Sequence, residues 1–388
     1  MDAGQIENEG QIEDDLAGTG RAWDDGAAVE DHELVLAARR LAAHLLAPAA
    51  AEVDRTRVPR SHLSALGDAG LLALHEVSPA VARRTNEIIA GADLATWFVA
   101  IQHAGAMRLA LQARRSDLAD ELAGGRLLGG VAFAHLRRAA GSPLRARRVR
   151  QGWQFQGTAP WYTGWGINDV AAVGALAAPA TLAPGARAGG TAGDPDGVGD
   201  VVFALIPAVR APGLTASPVM DVAAVRGAST VTLTLDDFEV RNEQVLLVSR
   251  WRDWAEADAA RTANVVPAVF GVAESALGLL AAVGRDRHEP AAADAAYRLR
   301  GRLAAVRAHA YRLIDAAAAG PDRQERLALR ALALRLLIDT TSTLVAAGAG
   351  GSMAASAPAQ RKAREALFLL VQAQTADARR ASLTLAGT

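Results

Sequence analysis

The stretch GTAPWYTGWGINDV, residues 157–170, sets Trp161, Tyr162 and Thr163 ahead of a turn marked by Gly164 and Gly166, and closes on Asp169. By residue type alone, Trp161 reads as a core aromatic and Thr163 as a strand residue. The neighbouring sequence has the same texture. GGVAFAHL, RARRVRQGWQFQG, DVAAVGALA, DVVFALIPAV and STVTLTLDDFEV read as strands, several of them alternating with period two. APATLAPGARAGGTAGDPDGVGD, residues 178–200, is a Gly/Pro/Ala loop without a core-forming pattern, expected as an exposed excursion between strands.

Outward from this block the pattern is helical in both directions. Leu34, Leu41 and Leu45 share a face, with Arg39 and Arg40 turned away from it. Further helices are expected over 61–74, 82–93, 95–113 and 116–123, with Ser61 and Ser116 as N-caps and Gly124-Gly125 as a stop. After Trp251 helices return over 254–285, 291–319, 323–348 and 358–378, with Gly320-Pro321-Asp322 as the clearest break. Residues 1–28 are acidic and Gly-rich and read as a flexible tail. The expected class is therefore α+β, mostly α: a helical domain at 29–126, a β domain at 127–250 and a helical bundle at 251–388. Alternating βα units are missing, which argues against a Rossmann sheet. The glycine run at 189–199 does not open a helix after a strand, as a dinucleotide fingerprint requires.

Composition narrows the function. Hydrophobic residues make up 51% and charged residues 21%, as in a chain that folds around a core. A formal charge of −1 supplies no broad basic field, so no nucleic-acid partner is expected. Without cysteine there is no disulfide, thiolate nucleophile or cysteine metal site, and the eight histidines are scattered without an HExxH pair, so no metal is expected. VVPAVFGVAESALGLLAAVG, residues 265–284, is apolar, but Pro267, Glu274 and its small residues point to a buried helix and no membrane insertion. The opening MDAGQIENEGQIEDD is acidic and lacks a signal-peptide pattern, and a cytoplasmic protein is the expectation.

Residues 157–170 resemble the flavin-wall segment of the acyl-CoA dehydrogenase superfamily, Gly-x-Lys-x-Trp-Ile-Thr-Asn followed by a small-residue turn and Ala-Asp. Other resemblances follow in chain order. AAGSP (139–143) is similar to the family's Gly-Ser-Asp turn, and MDVAAVRGASTVTLTLDDFEV (220–240) to its Arg-Gly-Ser-Ser strand ending in Phe-Asp-Asp-Val. RTANVVPAVFGVAESAL (261–277) resembles its first bundle helix, and PAQRKARE (358–365) its Pro-x-x-Arg-x-x-Arg-Asp. The resemblance implies an N-terminal helical domain, a central β domain and a C-terminal four-helix bundle. It implies a FAD-dependent oxidoreductase acting on an acyl thioester carried by CoA or a carrier protein, in a homodimer or homotetramer. Trp161 would cover the isoalloxazine and Thr163 would bond near flavin N5, where hydride is accepted. Ser142, Arg285, Arg287, Gly350, Gly351 and Thr375 would fall on the cofactor, and Arg261 and the backbone of Ala373 on the substrate.

The departures are as informative. Leu136-Arg137-Arg138 stands where the family carries Thr-Glu-Pro, with His135 beside it. GRDRHEPA replaces Arg-x-x-Phe-Gly, and Ala349-Gly350-Gly351-Ser352-Met353 replaces Gly-Gly-x-Gly-Tyr. The family's α-proton base is a glutamate nine residues after the Arg of Arg-Asp, or else just before the Arg of the first bundle helix; here those positions are Ala373 and Ala260. Glu256, Asp377 and His135 are the remaining candidates. Three functions stay open: a dehydrogenase with a displaced base, a flavin monooxygenase on the same fold that uses FMN or exchangeable reduced flavin, and a non-catalytic subunit paired with an active paralogue or a flavin-free binding protein.

Overall fold

The structure, a computed structural model, describes residues 26–177, 198–316 and 323–386. The acidic tail up to residue 25, most of the 178–200 loop and the 320–322 break lie outside the described residues. Helices come first: Ala27–Glu30 (α1), Glu33–Leu41 (α2), Ala47–Val53 (α3), Arg60–Asp68 (α4), Pro79–Ala92 (α5), Leu94–Gln112 (α6) and Ser116–Ala123 (α7). Leu34, Leu41 and Leu45 pack against the main core, as their spacing predicts. Asp93 starts α6 by accepting from the amides of Ala95 at 3.0 Å and Thr96 at 3.3 Å. The expected caps at Ser61 and Ser116 are not used. Both serines lie inside their helices, which begin after Pro59 and Arg115 without a side-chain cap.

The strands form one mixed sheet: Gly129–Ala132 (β1), Leu144–Val149 (β2), Gly152–Tyr162 (β3), Val170–Ala177 (β4), Asp200–Pro207 (β5), Leu214–Ala216 (β6), Val231–Arg241 (β7) and Val245–Arg250 (β8). Its order is β6-β7-β3-β2-β4-β5-β8, with β1 also on β4. The run read as one strand from Arg145 to Gly157 is a hairpin, because the chain reverses between Val149 and Gly152. The run GGVAFAHL is strand only to Ala132. β1 and β2 both pair parallel with β4, β1 reaching Val173 and β2 beginning opposite Leu176. The 3₁₀ turn Ala134–Gly141 lies between them and leaves a gap in the β4 ladder. His135 fills that gap, its Nε2 lying 2.7 Å from the carbonyl of Gly174.

The last third is helical: Trp251–Thr262 (α8), Pro267–Asp286 (α9), Pro290–Asp315 (α10), Arg323–Gly348 (α11), Pro358–Val371 (α12) and Ala376–Ala386 (α13). Two expected helices are each split. The 254–285 helix breaks at residues 263–266, where Pro267 takes the first turn of α9 and the preceding residue is extended. The 358–378 helix breaks at Gln372–Thr375, where Ala373 adopts a left-handed φ of 51°. The stretches Glu33–Val53, Trp251–Asp286 and Arg323–Met353 are long and apolar enough to cross a membrane by length and composition. Within Trp251–Asp286, 56% of the most apolar window is buried inside the fold. There α9 crosses α5 so closely that a Cβ on Gly271 would fall 2.0 Å from the Glu87 carbonyl oxygen. At this crossing the carboxylate of Glu87, fully buried, takes Nε of Arg307 at 2.6 Å and the Tyr311 hydroxyl at 2.6 Å.

Candidate functional site

The gap in the β4 ladder positions the first residues of the site. Burial holds the His135 imidazole down to about pH 4, with the Gly174 bond opposing that shift, so the ring is neutral at pH 7 and donates to the Gly174 carbonyl. The next residue, Leu136, is fully buried, and its carbonyl accepts from Nε1 of Trp251 at 2.9 Å. This bond ties the turn to the start of α8. Arg137 then reaches along α8 to Asp258, giving Nε at 2.7 Å and Nη2 at 3.1 Å. The Asp258 side chain is 5% exposed and takes a second guanidinium, Nη2 of Arg261, at 2.8 Å.

A third arginine closes the cluster from α11. Arg330 is buried and donates to two carbonyls at helix ends, Thr262 at the end of α8 and Gln372 at 2.8 Å after α12. Carbonyls at a helix C-terminus lack partners within the helix, so a guanidinium between two of them satisfies both. Burial holds Arg330 down to about 10, and the charge of Arg137 adds to the depression. This bridge places the Ala373 turn beside α8. Gln374 Nε2 reaches back to the Leu370 carbonyl at 3.1 Å, and the Thr375 hydroxyl caps α13 by accepting from Ala378 N at 3.2 Å.

The structure thus joins residues that the sequence could place only by family position. Arg261, Ala260, Ala373 and the 134–141 turn meet around Asp258 and Arg330. Ala260 contributes its carbonyl to Nη1 of Arg326 at 3.2 Å. Asp258 and Arg330 were not among the candidates. The one available signal was the i,i+3 spacing of Asp258 and Arg261. Arg330 gave none, because its two partners lie 68 and 42 residues away.

The other candidates divide. Glu256 is exposed on α8. Asp377 cannot follow Ala373 on one helix, since the chain breaks between them; it pairs instead with Arg323 at 2.6 Å and Arg380 at 3.4 Å. His135 serves the sheet through Nε2. Ser142 is buried, its hydroxyl 3.5 Å from the Leu144 carbonyl. Arg285 in the last turn of α9 and Arg287 just after it are exposed, and Arg287 reaches the Ala347 carbonyl at 3.4 Å, close to the exposed Gly350 and Gly351.

A flavin's demands can be tested on Trp161 and Thr163. The left-handed φ of 64° at Trp161 turns its indole outward, 56% exposed, while the next two residues, Tyr162 and Thr163, are buried. A bare indole of that size suits a planar apolar ring laid over it. Arg285, Arg287 and the open glycines suit phosphate oxygens. The Thr163 hydroxyl, 1% exposed, sits 3.1 Å from that of Thr230, so it would have to be shared with a flavin. Trp161 thus offers a face for the ring and the end of α9 offers donors for phosphate, with the Thr163 hydroxyl already in use.

No protein-family model matches the chain, and no curated protein is similar to it in sequence. Solved structures do match. Butyryl-CoA dehydrogenase from Megasphaera elsdenii superposes with a TM-score of 0.72 at 15% identity, covering 95% of this chain and 100% of that one. Acyl-CoA dehydrogenase from Geobacillus kaustophilus gives 0.75 at 14% identity, with 95% and 100% covered. Glutaryl-CoA dehydrogenase from Mycobacterium smegmatis in complex with FADH2 gives 0.72 at 17% identity, with 94% and 95% covered. This chain has the acyl-CoA dehydrogenase fold. Its helices, mixed sheet and bundle follow that fold over 95% of the chain, as the ordered resemblances of sequence imply.

Proposed function

We propose that this protein is a flavin-dependent oxidoreductase acting on an acyl thioester. The observation that carries this is the convergence of Arg261, the Ala373 turn and the 134–141 turn on one hydrogen-bonded cluster around Asp258 and Arg330. Support comes from the fold, which butyryl-CoA dehydrogenase and the FADH2-bound glutaryl-CoA dehydrogenase share. Bound flavin would supply the hydride acceptor. Trp161 would cover its ring, and Arg285, Arg287, Gly350 and Gly351 would meet its phosphates. The amide of Ala373 would orient the thioester carbonyl, a bond that needs no side chain. Asp258 is the carboxylate available for the α-proton. Its two oxygens hold three arginine N–H groups, so one of these bonds must open before it can accept a proton.

That occupancy, with alanine at both usual base positions, favours a second reading: a flavin monooxygenase, whose oxygen chemistry does not require the α-proton base. The visible spectrum of the purified protein, before and after FAD is added, tests the shared premise. Anaerobic addition of an acyl-CoA series then separates the readings. Bleaching that is lost in Asp258→Asn is expected for the dehydrogenase; flavin that stays oxidised with every thioester sinks that reading. Oxygenated product from the reduced protein in air would establish the second. Ala373→Glu is expected to raise the bleaching rate if the pocket keeps dehydrogenase geometry, by about 10²-fold for a well-placed base.

A further inference from the structure

We infer that a pocket between residues 71–75, α5 and α6 binds a small aromatic carboxylate, at a site separate from that of the proposed reaction. The pocket has a volume of about 150 Å³. Leucines of the 71–75 stretch line one side and Ile89 of α5 another. Its α6 wall is a single stripe, Trp97, Ala100, Ala104, Met107 and Arg108, spaced three or four residues apart. The space is open because Ala100 and Ala104, in the middle of that stripe, carry only a methyl group. A different stripe of α6 faces the rest of the molecule. Phe98 meets Phe368 of α12 edge-on, with ring centres 4.8 Å apart, and a Cβ on Gly105 would come within 2.8 Å of Val131 in β1. Of the described residues, none from α8, α12 or the 134–141 turn lines the pocket.

Size and lining set the body of the ligand. An apolar cavity of roughly 150 Å³ is large enough to take up benzene. Trp97 and Met107 favour a ring through edge-to-face and sulfur–aromatic contacts. A ring also enters without rotors to freeze, which favours it over a flexible chain. The Trp97 indole N–H donates to Asn86 Oδ1 at 2.9 Å, and the Asn86 amide donates to the Ala82 carbonyl at 2.8 Å, so neither residue asks for a polar group on the ligand. The rim sets the head group. Arg108 lines the pocket, is exposed, and makes no hydrogen bond or ion pair among the described residues. Its guanidinium offers a planar fork of N–H donors that matches a carboxylate. His75, also in the lining, lies 3.8 Å from Glu76, which points away into solvent with its side chain 71% exposed. None of the described lining residues is acidic, so nothing in the pocket repels an anion. An apolar hollow with one unpaired cation at its rim is the complement of an apolar acid.

Titration calorimetry of the full-length protein at constant ionic strength tests this, with benzoate, benzyl alcohol and octanoate as probes. Saturable benzoate binding is expected. Benzyl alcohol, which keeps the ring and loses the charge, should bind at least about tenfold more weakly, and octanoate, which keeps the charge and loses the ring, should also bind more weakly. Arg108→Gln should weaken benzoate about tenfold, the change that corresponds to one lost charge-assisted contact, and leave benzyl alcohol unchanged. Ala104→Phe puts a ring of the protein's own in the space and should abolish benzoate binding. Should that variant fail to fold, Ala100→Leu narrows the same space and gives the same comparison. Absence of saturable benzoate binding, equal benzoate affinity in Arg108→Gln or in the filled variant, or binding of benzyl alcohol or octanoate as tight as benzoate would each overturn the inference. None of these readouts needs flavin or thioester. A protein that takes up FAD but no benzoate loses only this inference, and one that binds benzoate but never flavin loses only the proposed reaction.

Discussion

Two arginine clusters in this protein are built from the same parts to opposite effect. At the α5–α9 crossing, Glu87, Glu274 and Glu30 meet Arg84, Arg307 and Arg39, three carboxylates against three guanidinium groups. Glu87 is fully buried, and burial pushes its carboxyl up while Arg307, Tyr311 and Arg84 pull it back. Around Asp258, one carboxylate faces two arginines, Arg137 and Arg261, and both of those side chains reach solvent. A balanced network around a buried carboxylate fixes how elements pack. An unbalanced one on a wet edge leaves valence for something else. The contrast separates a structural cluster from a candidate site more sharply than burial or residue type alone.

The largest test of the contrast is to remove the central carboxylate from each cluster. Glu87→Gln leaves Arg307 and Arg84 buried beside a neutral group, and breaking a buried pair from one side costs about 3–5 kcal/mol. Asp258→Asn frees Arg137 and Arg261, which at 27% and 51% exposure can turn to water. It should cost about 1 kcal/mol. Urea denaturation followed by circular dichroism measures both. Equal costs would mean that the Asp258 cluster is as closed as the crossing.

Acid should act on the Asp258 side through His135. Its folded-state value, about 4, lies below the ordinary 6.5, so the unfolded chain binds the proton first. The stability that the neutral ring contributes is complete above pH 6.5 and is lost as pH falls from 6.5 towards 4. The steepest slope is about 1.4 kcal/mol per pH unit. His135→Gln keeps a donor for the Gly174 carbonyl and removes the titration. The difference between wild type and variant should therefore be flat above pH 6.5 and slope below it. A parallel offset at every pH would show that the ring takes up its proton without loosening the turn.

How much of this was legible from sequence depends on how local each cause is. The helix over 323–348 matches α11 end to end, because the Gly320-Pro321-Asp322 break and the run of helix-forming residues after it are adjacent in sequence. The break at Gln372–Thr375 was not legible. No glycine or proline marks it, and the Gln372 carbonyl is held by Arg330 from another helix. Pro267 was visible, yet its consequence, a new helix beginning there, was lost in an apolar run that looked continuous. In the site, Arg261 and Ala373 were reachable by family position. Asp258 was one acid among several on an alanine-rich helix, and only the fold sets it opposite Arg137.

Arg108 gives the smallest effect and the finest discrimination. Arg108 is exposed and makes no hydrogen bond or ion pair among the described residues, so Arg108→Gln should change stability by less than about 0.5 kcal/mol in either direction. The same substitution at Arg84, which holds Glu30, Glu87 and Glu274, should cost several-fold more. Thermal melts of wild type, Arg108→Gln and Arg84→Gln measure both effects, and a loss at Arg108 as large as that at Arg84 would place it in the packing.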